Sequence, residues 1–321
     1  MLPLTLCIIA AFILLQLLLQ RRPKRTRQRR LLTRCLTVGL VSYLVALGLL
    51  WYFQPHFLYE PTHTLQTTPD SHNLAYEEVW IPADAQAKKS ASLHSWWIPQ
   101  PQQHIGTLIY FHGAGHNIGY NVSQANWFHW IGLDVLLAEY RGYGLSEGNF
   151  PTEASLYEDA EAALRYLKET RSIPVNEIIL YGHSLGGAIA INLAIHHPEL
   201  AGLIVHITFT SMAEMVARSP LAYLFPVQTI LNQHFNSIQK VASLEVPTLF
   251  IHAKGDPRIP SEMGQRLYME APEPKSLMLP DLNNHSNAAG LYKTKKYLSQ
   301  IKQFMTDAVE NNIITATEFG V

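Results

Sequence analysis

The first 53 residues contain no acidic residue, and residues 54–87 contain no Lys or Arg. Cysteine is scarce: there are 2, Cys7 and Cys35, both near the N-terminus. The globular remainder therefore has neither a disulfide framework nor a thiolate metal site, which is compatible with an oxidising compartment but no proof of one. A basic surplus is missing there too. From residue 35 to 321, 16 Lys and Arg face 25 Asp and Glu, about nine net negative charges. Such a domain lacks the basic surface that phosphates require, so nucleic acid is excluded as an expected partner. Internal repeats and low-complexity stretches are absent. A length of 321 residues suits one α/β domain with an added anchor.

Two uncharged apolar runs do stand at the N-terminus, at residues 2–20 and 35–53. Each has 19 residues, close to the ~20 that cross a hydrocarbon core about 30 Å thick. Apolar side chains all round argue against a core helix packed by one face. Between the runs lie Arg21, Arg22, Lys24, Arg25, Arg27, Arg29, Arg30 and Arg34. Basic loops stay cytoplasmic. The expected organisation is a transmembrane helix at 1–20, a basic cytoplasmic loop at 21–34 and a second transmembrane helix at 35–53. A polar tether at 54–75 follows, then a globular domain at 76–321 on the non-cytoplasmic face of a plasma or bacterial inner membrane. Trp51, Tyr52 and Phe53 would form the outer aromatic belt. A cleaved signal peptide is the alternative, although no small-x-small cleavage site precedes the aromatic run.

The spacing predicts strands at 77–81, 93–98, 107–111, 133–139, 176–181, 201–208, 247–252 and 275–280. Helical patterns separate the later ones. Residues 152–170 carry Leu156, Ala160, Ala163, Leu164 and Leu167 at intervals of three and four. A second helix is expected at 185–197, stopped by Pro198, and a third at 288–309. Antiparallel strands first and β–α units afterwards imply a mostly parallel sheet with helices on both faces. Residues 209–246 connect two strands and could form a small cap. Met212, Met215, Leu221, Tyr223, Leu224 and Phe225 make it apolar. That apolarity reads as ordinary packing, or as a surface that takes acyl chains or lies on lipid.

The chemistry-bearing segment is Gly182-His-Ser184-Leu-Gly186-Gly187, a Gly-x-Ser-x-Gly run between an expected strand and an expected helix. Strand, sharp turn and helix are what a nucleophile elbow requires, with the hydroxyl of Ser184 held out at the sheet edge. A serine needs a base to take its proton. Downstream, Asp256 leaves one strand and His285 leaves the next, which nominates Ser184, Asp256 and His285 as catalytic residues. Asp281 competes for the acid role, but four residues before His285 it must fold back along its own loop to reach it. For the oxyanion, the backbone N–H groups of Leu185 and Ala114 are nominated, the latter from the run Phe111-His112-Gly113-Ala114. His112 and His116 could be read as metal ligands, but no third ligand is evident.

These segments resemble the α/β-hydrolase superfamily, and within it the membrane-anchored abhydrolase-domain branch that includes esterases and protein depalmitoylases. The resemblance rests on Phe111-His-Gly113, Glu139-Tyr-Arg-Gly-Tyr-Gly-Leu-Ser-Glu-Gly148, Gly182 to Gly187, Phe209-Thr-Ser-Met, Phe235-Asn-Ser-Ile and Ile251-His-Ala-Lys-Gly-Asp256 through Pro260. Together they span most of residues 75–305. The resemblance implies the α/β-hydrolase fold, a triad of Ser184, Asp256 and His285, and a structural loop at 139–148. The chain departs from the branch at Glu139 (usually Asp), Ala253 (usually Gly) and Asn284 (commonly Gly). The expected activity is hydrolysis of an ester-like acyl bond, with a small acyl or lipid-like substrate, membrane lipid as surroundings, and no metal or organic cofactor implied. An acyltransferase or peptidase on the same fold, or a membrane-tethered binding protein without catalysis, are the alternatives.

Overall fold

The structure, a computed structural model, describes residues 27–84, 90–283, 285 and 294–319. The first expected transmembrane helix, 1–20, lies outside the described residues. The chain divides into two compact units, one with residues up to 57 and 216–232, the other with 58–215 and 233 onward.

In the first unit, one helix of 32 residues, α1 (Arg27–Leu58), contains the whole second apolar run. It is long and apolar enough to cross a membrane. It outruns the apolar stretch at both ends, which corrects the expected boundaries: residues 27–34 of the basic loop and 54–58 of the tether are helical. Arg, Gln and Leu are good helix formers, so charge alone does not stop a helix. The rest of the tether is also no free linker. Glu60-Pro61 pairs in parallel with Gly115-His116. The Asn117 amide donates to the carbonyls of Thr62 and Thr64, at 3.0 and 2.9 Å. Tyr59 and Leu74 are buried.

The second unit is built on an eight-stranded sheet: β1 (Glu77–Pro82), β2 (Ser92–Ile98), β3 (Gly106–Phe111), β4 (Leu133–Ala138), β5 (Ile178–His183), β6 (Gly202–His206), β7 (Thr248–Ile251) and β8 (Lys275–Met278). Each of the eight expected strands is present. The spatial order is β8-β7-β6-β5-β3-β4-β2-β1. β1, β2 and β4 pair antiparallel and the remaining neighbours are parallel. The register aligns Phe111 with Gly182, His183 with His206, His206 with Ile251 and Ile251 with Met278. Loops after β3, β5, β7 and β8 therefore leave one carboxyl edge side by side, the place where open α/β sheets build sites.

The longer helices among the described residues after α1 are α2 (Val122–Trp130), α3 (Glu153–Arg165), α4 (Leu185–Ala194), α5 (Ser261–Glu270) and α6 (Lys295–Phe319). α3 starts on a capping box between Thr152 and Ser155. Its expected apolar face is the buried one, and a π-helical turn at Tyr166–Thr170 completes the predicted span. α4 packs on β5 and β6 and is buried on nearly every side. Ile301, Met305 and Val309, four residues apart along α6, close the core.

Candidate active site

Ser184 sits between β5 and α4 with φ 54° and ψ −118°, a left-handed conformation costly for a residue with a Cβ. Its backbone is held on both sides. Ser184 N–H donates to the His206 carbonyl at 2.9 Å, and the Thr208 hydroxyl donates to the Ser184 carbonyl at 2.6 Å. The turn is passable only because its neighbours lack side chains: a Cβ on Gly182 would overlap the Gly186 carbonyl, and one on Gly186 the Phe111 carbonyl. The start of α4 directs its positive end at the same point.

Ser184, Asp256 and His285 meet although 101 and 29 residues separate them pairwise. His285 Nε2 lies 3.2 Å from Ser184 Oγ, and His285 Nδ1 lies 2.8 Å from Asp256 Oδ2. The Asp256 side chain is fully buried and that of His285 is 10% exposed. Asp256 Oδ1 accepts from the backbone N–H groups of Arg258 at 2.7 Å and Ile259 at 2.8 Å. Burial alone would raise its pKa; the hydrogen bonds from His285, Ile259 and Arg258 outweigh burial, and the carboxyl ends below its usual value. Asp281 is exposed.

Of the nominated oxyanion residues, Ala114 lines the same cavity as Ser184 and Leu185 follows it in the chain. Leu185 is the first residue of α4. Gly113 lies against Ser184, a Cβ there falling 3.4 Å from that of Ser184. His112 Nδ1 donates to the Gly113 carbonyl at 2.8 Å. In a trans peptide the N–H opposes the C=O, so this bond also orients the N–H of Ala114. His112 Nε2 in turn meets Glu139 Oε1 at 2.6 Å, with both side chains fully buried. The neighbouring peptide is fixed as well: the Ala114 carbonyl accepts from the Tyr143 hydroxyl at 2.7 Å and from Glu60 N–H at 2.9 Å. His112 is thus occupied with the loop, and His116 stacks on Tyr120 at 3.7 Å.

Several groups around the site carry no signal in the local sequence. Glu139, one of the departures from the branch, uses its two oxygens to bind His112 and the backbone of Ile118, the latter at 3.0 Å. His183 stands at a position the Gly-x-Ser-x-Gly run leaves open, and its Nε2 donates to the His285 carbonyl at 3.2 Å. Its ring is largely buried at the edge of the cavity beside Ser184. Burial, and then the proximity of His285, push its pKa down to about 4, so it stays neutral. A cavity of about 330 Å³ opens beside Ser184 and His285. Tyr110, Asn121 and Gln124 line it, with Glu60 and Arg258. Nothing in local spacing signals these residues, because each comes from a different element.

An eight-stranded, mostly parallel sheet with a serine on a strand-to-helix elbow defines an α/β-hydrolase. The chain belongs to the α/β-hydrolase superfamily, and residues 102–240 match the family described as serine aminopeptidase, S33. An uncharacterised protein of Mycobacterium tuberculosis is 30% identical over 279 residues, covering 85% of this chain and 96% of its own. Protein bem46 of Schizosaccharomyces pombe is 30% identical over 239 residues, covering 69% of this chain and 76% of its own. Among solved structures, the Pyrococcus furiosus esterase Pf2001 superposes with a TM-score of 0.63 at 18% identity, over 78% of this chain and 98% of the esterase.

Proposed function

We propose that the chain is a membrane-anchored serine hydrolase that cleaves an ester-like acyl bond through an acyl-enzyme on Ser184. The observation that carries this reading is the hydrogen-bonded line from Ser184 Oγ through the His285 ring to Asp256, at 3.2 and 2.8 Å. In the first step His285 Nε2 takes the hydroxyl proton as Ser184 attacks the carbonyl carbon. Asp256 holds the Nδ1–H tautomer and balances the charge that forms on the ring. The N–H groups of Leu185 and Ala114 receive the oxyanion. His285 then gives its proton to the leaving group, and a water activated by the same nitrogen releases the acid.

The cavity argues for a modest substrate. At about 330 Å³ with Tyr110, Asn121 and Gln124 in its lining, it favours a short or polar acyl group over a long alkyl chain. A peptidase reading draws on Glu60, an acidic residue in the lining of the same cavity that would attract a free amino terminus. The anchor reading rests on α1, in whose apolar window no residue is fully buried within the protein. The basic residues before it favour a hydrolase domain on the non-cytoplasmic side.

The detergent-solubilised full chain should label with a fluorophosphonate probe, and Ser184→Ala should not. Labelling that survives in the variant would move the nucleophile elsewhere. A graded set of p-nitrophenyl esters beside aminoacyl amides then separates the two substrate readings. Turnover should peak with short acyl esters; a preference for aminoacyl amides would favour the peptidase.

A further inference from the structure

Residues 219–232 read Ser-Pro-Leu-Ala-Tyr-Leu-Phe-Pro-Val-Gln-Thr-Ile-Leu-Asn and carry no charge. They belong to the same compact unit as α1, and the contacts between them are specific. The Tyr43 hydroxyl donates to the Leu224 carbonyl at 3.0 Å, and the Tyr43 ring stacks on Phe225 with an interplanar angle of 1°. Nearer the end of α1, Gln54 Nε2 donates to the Ile230 carbonyl at 2.5 Å and Gln54 Oε1 accepts from Asn232 N–H at 2.8 Å. Pro55 has no N–H to give the Trp51 carbonyl, and that carbonyl accepts from the Asn232 amide at 2.8 Å. The segment is therefore clamped to α1 at two levels, Tyr43 and Trp51 to Gln54.

Those levels set a depth. Eleven residues separate Tyr43 from Gln54, about 16 Å along a helix axis. Gln54 immediately follows the apolar run 35–53, and Tyr43 stands one residue from its middle. Half of a hydrocarbon core about 30 Å thick is the same distance. If α1 spans the bilayer by this run, the tip Leu221–Phe225 lies near the midplane, and a typical tilt changes this little.

The segment is built for that environment. Leu221, Tyr223 and Leu224 are 63%, 83% and 59% exposed, an apolar tip that water would leave uncovered. Hydrocarbon demands that backbone groups be bonded internally. The N–H groups of Ser219, Ala222, Leu224, Phe225, Val227, Thr229, Ile230 and Leu231 all find carbonyls within the segment or just before it, and that of Leu221 finds the Ser219 hydroxyl. Pro220 and Pro226 have no N–H to satisfy. The nearest charge, Arg218, has a side chain long enough to carry its guanidinium toward the headgroups.

We propose that residues 219–232 form a re-entrant element that enters the leaflet adjoining the hydrolase domain, its tip in the hydrocarbon and α1 as its support. This rests on the reading of α1 as a membrane span. The test uses the full chain in phosphatidylcholine nanodiscs with Cys7→Ser and Cys35→Ser. Single cysteines, Tyr223→Cys or Leu44→Cys, carry an environment-sensitive NBD label. The label at 223 should emit in the blue-shifted range, be quenched by mid-chain doxyl lipid and resist reduction by aqueous dithionite. The label at 44, in the middle of α1, reports on the span itself. A lipid-buried label at 44 with a water-exposed label at 223 overturns the re-entrant element alone. A water-exposed label at both positions overturns the anchor reading and the element that rests on it.

Discussion

Replacing Asp256 by Asn exchanges one carboxylate oxygen for an NH₂ and leaves the shape of the side chain unchanged. In the native protein Oδ1 is tied to the N–H groups of Arg258 and Ile259 at 2.7 and 2.8 Å. Those donors will hold the amide oxygen, so the NH₂ must face His285 Nδ1, now 2.8 Å from Oδ2. A donor there forces the imidazole to carry its proton on Nε2, which then donates to Ser184 Oγ and cannot take a proton from it. The wrong tautomer costs roughly 10⁴-fold in kcat, or about 5.5 kcal/mol of transition-state stabilisation, with little change in KM. The assay is steady-state hydrolysis of a short p-nitrophenyl ester by the full chain, with the fold of the variant checked by circular dichroism. Asp281→Asn is the control and should retain nearly full turnover. If Asp256→Asn stays within about tenfold of native while Asp281→Asn collapses, the acid has been misassigned and the tautomer argument fails.

His183 gives a pH prediction. Its pKa in the folded chain is about 4 against the ordinary 6.5, so the unfolded chain binds a proton that the native state refuses. Stability should fall as pH drops from about 6.5 to about 4, by about 3 kcal/mol from this residue, and level off below. His206 and His252 are also held below their ordinary value by burial and slope the same way. The difference between native and His183→Gln urea curves isolates the contribution of His183, and identical pH slopes would refute it. Glu139→Ala leaves the buried His112 without its partner and should cost about 3–5 kcal/mol. Chemical denaturation reads that loss, and a cost below about 1 kcal/mol would show the pair to be dispensable. For topology, an alkaline-phosphatase fusion after residue 60 should be active and one within 21–34 inactive. The reverse pattern would invert the orientation drawn from the basic loop.

Much of the fold could be read directly from residue order. Each strand is a short apolar run closed by turn residues, and the faces of α3 and α6 follow from apolar residues three and four apart. The elbow was legible for the same reason: Gly182, Ser184 and Gly186 act within one turn, so their spacing in sequence is their spacing in space. Where each helix stops was less legible. α1 includes the charged residues 27–34 and runs past Pro55, where Asn232 supplies the bond the Trp51 carbonyl would lack, so that part of the expected loop and the tether are helix and packed chain. The role of Glu139 depends on His112, 27 residues away, and that of His183 on the carbonyl of His285, 102 residues on. Tyr43 finds Leu224 across 181 residues. Periodicity records which face of an element is apolar, but not which distant element meets it. Strands, faces and the elbow were therefore determined by the sequence alone. The partners of Glu139, His183 and α1 were decided only when tertiary packing brought remote segments within bonding distance.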